Sequence, residues 1–127
     1  MDDNSRELRS PAFSATVRRF RGVPVVEITG EIDLVTVPEL LEAIGRAGSR
    51  MDGLPLLVVD LRAAGFIDAI GTRTLVEQAR AMRELGGELR VVIAEEGPVA
   101  RVFELLEIER AQGLYHDLAE ATRAMAN

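Results

Sequence analysis

Leu56-Leu57-Val58-Val59-Asp60-Leu61 is a short apolar run interrupted by one carboxylate, and Gly65-Phe66-Ile67-Asp68-Ala69-Ile70-Gly71-Thr72 follows three residues later. A run this short, with two β-branched residues, reads as a central strand buried on both faces. Beyond Asp68 the period changes. Leu75, Val76, Ala79, Met82 and Leu85 recur at helical spacing, so a helix is expected from Ala69 to about Leu85, with Arg62–Asp68 as the loop before it. On its outer side Arg73–Glu77 and Arg80–Glu84 stand four residues apart, pairs worth roughly 0.2–0.5 kcal/mol each. Gly86-Gly87 ends the helix, and Leu89 to Ala94 reads as the next strand.

Upstream, Phe13, Ala15 and Val17 alternate with Ser14, Thr16 and Arg18. That period of two marks a half-buried strand, and Arg21-Gly22 turns it into a second, Val23 to Thr29, giving an antiparallel hairpin. Gly30 to Val35 is expected to be loop. Thr36-Val37-Pro38-Glu39 has the form of a capping box, opening a helix with Val37, Leu40, Leu41 and Ile44 on one face; Gly45, Gly48 and Gly53 loosen its end. Downstream, Pro98 starts a helix carrying Val99, Val102, Phe103 and Leu106 on one side. A short strand at Leu114-Tyr115 is compatible with the spacing. Asp117-Leu118-Ala119-Glu120 is a second capping box, before a terminal helix to about Ala126. Residues 1–11 read as a flexible polar tail and 12–127 as one domain. The order ββαβαβα(β)α predicts a layered α/β domain with a mixed sheet of four to five strands and about four helices.

Composition removes many functions. The 127 residues carry a net charge of −6, no cysteine, one histidine (His116) and fifteen basic residues that are all arginine. Disulfides, thiolate metal sites, histidine metal clusters, a P-loop lysine and Schiff-base chemistry are therefore excluded, and no metal or cofactor is expected. The acidic balance argues against nucleic acid, which needs a basic footprint. The charged start holds no apolar run of the signal-peptide kind, and no stretch is long enough to span a bilayer, so no membrane insertion and a cytoplasmic setting are expected.

Few constellations remain. Asp60 ends a central strand where a phosphoacceptor could stand, but no lysine exists to contact a phosphoryl group, so a loop-bracing role is favoured. His116 lacks a serine on a suitable element and reads as a surface histidine. Glycines do not form a dinucleotide fingerprint. Asp68 suits the N-cap of the helix that follows, and a helix N-terminus is a natural seat for phosphate; a plain capped connection explains the segment equally well.

Gly30-Glu31-Ile32-Asp33, Leu57-Val-Val-Asp-Leu61, Gly65-Phe-Ile-Asp-Ala-Ile-Gly71, Gly86-Gly-Glu88 and Phe103-Glu-Leu-Leu106 occur in an order that resembles the STAS domain of bacterial anti-sigma factor antagonists, over roughly residues 12–126. The resemblance implies a regulatory binding module rather than an enzyme. Such antagonists dock on an anti-sigma factor, usually a small serine kinase, and so release a sigma factor. The kinase then phosphorylates a serine directly after the aspartate of an Asp-Ser-Ser-Gly motif. Phosphate adds about −1.5 to −2 charges at the contact, and a hundredfold loss of affinity needs only about 2.8 kcal/mol.

This chain departs at that spot. Asp68-Ala69-Ile70-Gly71 places alanine at the phosphoserine position, while Thr72 and Arg73 replace a common leucine and glycine. Three consequences are expected to compete: a permanently unphosphorylated antagonist; a switch moved to Thr72, or to Thr74, provided the hydroxyl does not face the core; or another role of the fold, as a stressosome-like scaffold or the cytoplasmic subunit of a lipid-transport complex. The expected contact surface joins Asp33 to Asp68, Ala69, Ile70, Gly71, Thr72 and Arg73. The expected partner is an anti-sigma factor of the serine-kinase type, with a homodimer as a further expectation.

Overall fold

The computed structural model describes residues 13–48, 55–108 and 113–125. The expected tail at 1–11, Gly53 and Ala126 lie outside the described residues. In chain order the elements are β1 (Ser14–Phe20), β2 (Val23–Ile32), α1 (Val37–Gly48), β3 (Leu56–Asp60), β4 (Ala64–Ile67), α2 (Ala69–Glu84), β5 (Glu88–Val92), α3 (Pro98–Leu105), β6 (Leu114–Tyr115) and α4 (Leu118–Thr122).

The sheet runs β1-β2-β3-β5-β6, with β4 also paired to β2. Only β1 and β2 are antiparallel; the other pairs are parallel, as connections through helices require. Arg21 and Gly22 both have positive φ (53° and 82°), the two-residue turn whose twist matches a hairpin. Strand β3 lies at the centre, and Leu57, Val58 and Val59 are fully buried. Leu57 and Val59 join α1, α2 and α3 in the larger core, whereas Val58 faces the smaller one with Leu118 and Ala121 of α4. A strand buried on both faces therefore sits where the apolar run predicted it.

The most consequential difference from expectation lies in the segment 62–68, expected to be loop. It holds β4. Strand β2 extends to Ile32, past the end of β3 at Asp60, and so offers an edge that β4 occupies through Gly30↔Ala64, Glu31↔Phe66 and Ile32↔Ile67. The sheet consequently has six strands. Pairing along an exposed strand edge satisfies backbone groups that a free loop would leave to water.

Smaller corrections have local causes. The Thr36 hydroxyl does not cap α1 but accepts from the Asp33 N–H (2.9 Å) and donates to the Glu31 carbonyl (2.9 Å). Gly45 lies within α1, which runs on to Gly48. At the end of α2, Leu85 is exposed, and buried Thr72 takes a place on the inner face. Among the described residues the ion pairs are Arg18–Glu27, Arg62–Asp60 and Arg90–Glu88; Arg73 and Arg80 do not pair with Glu77 or Glu84. Helix α4 closes at Thr122, with the Asp117 carboxylate accepting from the Glu120 N–H (2.7 Å) at its start. Arg90 holds its other end, donating to the carbonyls of Ala121 (3.0 Å) and Arg123 (3.1 Å) while lying over the Tyr115 ring.

Gly86-Gly87 does end α2. Gly86 is left-handed (φ 86°) and the Gly87 N–H donates to the Met82 carbonyl (2.8 Å), a Schellman closure. Gly87 is also required by contact, since a Cβ there would stand 2.1 Å from the Pro55 carbonyl oxygen.

Candidate functional site

Pairing of β4 with β2 sets Ile32 beside Ile67, so the next residues, Asp33 and Asp68, leave the carboxyl ends of adjacent parallel strands. The Asp68 N–H donates to the Ile32 carbonyl (3.0 Å). Both carboxylates then turn inward on backbone. Asp33 Oδ1 accepts from the N–H groups of Val35 (2.9 Å) and Thr36 (3.1 Å). Asp68 Oδ1 accepts from the Gly71 N–H (2.7 Å), which makes Asp68 the N-cap of α2. One oxygen of each carboxylate is thus committed to shaping the backbone of the site.

Gly71 is held by contact. A Cβ there would lie 2.8 Å from Ile32 Cγ2 and 3.0 Å from Ile67 Cγ1, so a glycine lets α2 start directly over the β2–β4 pair. Thr72 is 0% exposed, and its hydroxyl donates to the Asp68 carbonyl (3.0 Å). That oxygen is closed off from solvent in this conformation. Thr74 is half-buried, its hydroxyl donating to the Ile70 carbonyl (2.8 Å).

What faces solvent is different in kind. Ala69, Ile70 (45% exposed) and Arg73 stand out from the first turns of α2. Beside them the turn after β2 exposes Leu34 (67%) and Val35 (80%), and β4 exposes part of Phe66. Sequence reading passed over Leu34, Val35 and Phe66. The available signal was two adjacent apolar residues in a turn, where neither serves a core. Together these residues make an apolar surface with an arginine at its border, the composition of a protein-docking face.

The remaining candidates resolve simply. Asp60 is buried and grips Arg62: Oδ1 accepts from the Arg62 N–H (3.0 Å) and Nε–H (3.0 Å), and Oδ2 from Nη2 (2.9 Å). That hydrogen bond raises the Arg62 pKa above its ordinary value against the opposing effect of burial. The His116 Nδ1–H donates to the Ile93 carbonyl (3.1 Å), at a cleft of about 530 Å³ whose lining includes Glu95, Glu96, Arg101 and Glu104 but no hydroxyl-bearing side chain among the described residues. Among the described residues no three His, Cys, Asp or Glu side chains are placed to hold a metal, and no helix is long and apolar enough to cross a membrane.

The STAS domain model matches residues 14–121. The chain belongs to the STAS-domain family. Its STAS domain is 32% identical over 111 residues to the anti-sigma-F factor antagonist RsfB of Mycobacterium tuberculosis, covering 87% of each chain. It is 31% identical over 91 residues to an anti-sigma-B factor antagonist of Staphylococcus aureus, covering 72% of this chain and 79% of that one. The crystal structure of an anti-sigma factor antagonist from Mycobacterium paratuberculosis superposes with a TM-score of 0.72 at 31% identity, over 91% of this chain and 96% of that one. The six-stranded mixed sheet and the four helices among the described residues are thus those of a STAS domain whose relatives are named as anti-sigma factor antagonists.

Proposed function

We propose that this STAS domain is an anti-sigma factor antagonist that binds an anti-sigma factor of the serine-kinase type, and that it does so without the usual serine switch. The supporting observation is Ala69. It is the first residue of α2, it is exposed, and it carries a methyl group where the family resemblance places the phosphorylated serine. Alanine matches the unmodified state in size and charge. The nearest hydroxyl on the same helix, Thr72, is buried. The docking face joins Leu34 and Val35 to Ala69, Ile70 and Arg73, while Asp33, Asp68, Gly71 and Thr72 hold it in shape. Binding to this face releases the sigma factor that the partner holds, and the antagonist remains competent for as long as it is present.

The test is to incubate the chain with serine-kinase anti-sigma factors from its native cells, with and without ATP. Complex formation is followed by calorimetry and phosphate by intact mass. The expected result is a complex unaffected by ATP and a chain of unchanged mass. Phosphate on Thr74 that dissolves the complex would reject the switchless reading, and absence of any complex would reject the antagonist reading.

A further inference from the structure

A second feature extends from the same face. Helices α2 and α3 diverge to leave a groove of about 290 Å³, lined by Arg73, Val76, Glu77, Arg80, Leu106 and Ile108. Its apolar wall is built by the way α3 stops: Glu107 takes a left-handed conformation (φ 58°), and the Ile108 N–H returns to the Phe103 carbonyl (2.9 Å). Just before that turn Leu105 is 74% exposed. Arg73 and Arg80 have no ion-pair or hydrogen-bond partner among the described residues.

We infer that this groove seats a helix of the protein partner that presents acidic, basic and acidic side chains on successive turns, with an apolar residue set against Val76, Leu106 and Ile108. This rests on the antagonist reading and names the partner element that reading leaves open. Charge complementarity carries it. In a chain of net charge −6, two guanidiniums with no partner among the described residues flank one carboxylate along a single helix face. Arg73, Glu77 and Arg80 are spaced at i, i+4 and i+7, spanning about 10 Å. A helix lying alongside repeats that spacing, whereas same-face residues of a strand recur every ~6.7 Å and fall out of step. Glu77 in the middle disfavours a uniformly acidic segment and so selects a pattern. Arg80 lies two turns beyond Arg73, which extends the contact along α2 away from Ala69.

The experiment measures affinity of the full chain for a serine-kinase anti-sigma factor that the wild type binds. Arg80→Glu is expected to weaken binding at least tenfold with an unchanged circular dichroism spectrum. Arginine at the facing acidic position of the kinase is expected to restore at least half of that loss on a logarithmic scale. Because Arg80 is exposed and has no partner among the described residues, its replacement leaves folding intact; Arg80→Ala, expected to lose about threefold, provides a second variant without charge reversal. If Arg80→Glu binds as wild type while Arg73→Glu does not, contact ends at the Arg73 edge of the groove and the inference fails though the antagonist reading stands. If no such kinase binds the wild type, the antagonist reading fails and takes this inference with it.

Discussion

The backbone N–H of Asp68 donates to the carbonyl of Ile32 at 3.0 Å, tying the start of α2 to the end of β2. That bond joins two segments 35 residues apart in sequence: 33–35, the turn after one strand, and 68–70, the cap and first residues of the helix that follows its neighbour. The carboxylates on either side each commit one oxygen to backbone N–H groups and so fix the two segments.

Gly71 sets how closely α2 approaches that strand pair. Gly71→Ala places a methyl group 2.8 Å from Ile32 Cγ2 and 3.0 Å from Ile67 Cγ1, both buried and branched at Cβ. Overpacking of this kind costs about 1–3 kcal/mol. Urea denaturation is expected to show a lower midpoint at an unchanged slope. A variant as stable as wild type would mean that α2 can lift off freely.

Asp68→Ala removes the acceptor of the Gly71 N–H. Loss of an N-cap is worth about 1 kcal/mol, and the thermal midpoint should fall accordingly. Asp68→Asn keeps an acceptor and should recover most of the loss. Equal loss in both variants would show that charge, rather than the hydrogen bond, was the contribution.

Arg62→Ala leaves the Asp60 carboxylate buried with, among the described residues, only the backbone N–H of position 62 as partner. A destabilisation of about 1–3 kcal/mol is expected, since a buried charge loses its counter-charge. The raised Arg62 pKa sets the pH dependence of this pair. A cation whose pKa is raised on folding contributes its full stability below the unfolded value and loses it only as pH climbs through the folded one. The difference between wild type and Arg62→Ala is therefore expected to stay flat on the arginine side from neutral pH through the mildly alkaline range, as read by urea midpoints.

Ala69→Ser restores a hydroxyl at an exposed first turn. With ATP and a serine-kinase partner, intact mass is expected to show one added phosphate, and the complex should weaken by about a hundredfold, which corresponds to ~2.8 kcal/mol. A serine that stays unmodified in a formed complex would show that more than the missing hydroxyl had been lost.

Arg73→Glu is expected to abolish partner binding while moving the thermal midpoint by no more than a few degrees, because Arg73 is exposed and holds no partner among the described residues. A large fall in midpoint would make the residue structural instead.

Local pattern determined much of this protein without coordinates. The apolar run at Leu56–Leu61 reads as a buried strand, the spacing of Leu75, Ala79 and Met82 as one helix face, and Asp68 before Ala69 as a cap. The absent hydroxyl at Ala69 is also a plain fact of the sequence. What pattern could not supply was long-range pairing. Strand β4 is four residues with the exposed Gly65 and Phe66 at its middle, too short to carry a period, and it exists because β2 outruns β3 and leaves an edge to fill. The same pairing decides which residues of the site are available. Thr72 and Arg73 are adjacent in sequence, yet a turn of 100° per residue sends one hydroxyl into the core and one guanidinium to solvent. Leu34 and Val35 read as loop residues, and only the fold shows that both side chains stay exposed after the strand that pairs with β4. Composition and period follow from neighbours along the chain; a docking face is made by strands that meet across it, and only the tertiary structure brings them together.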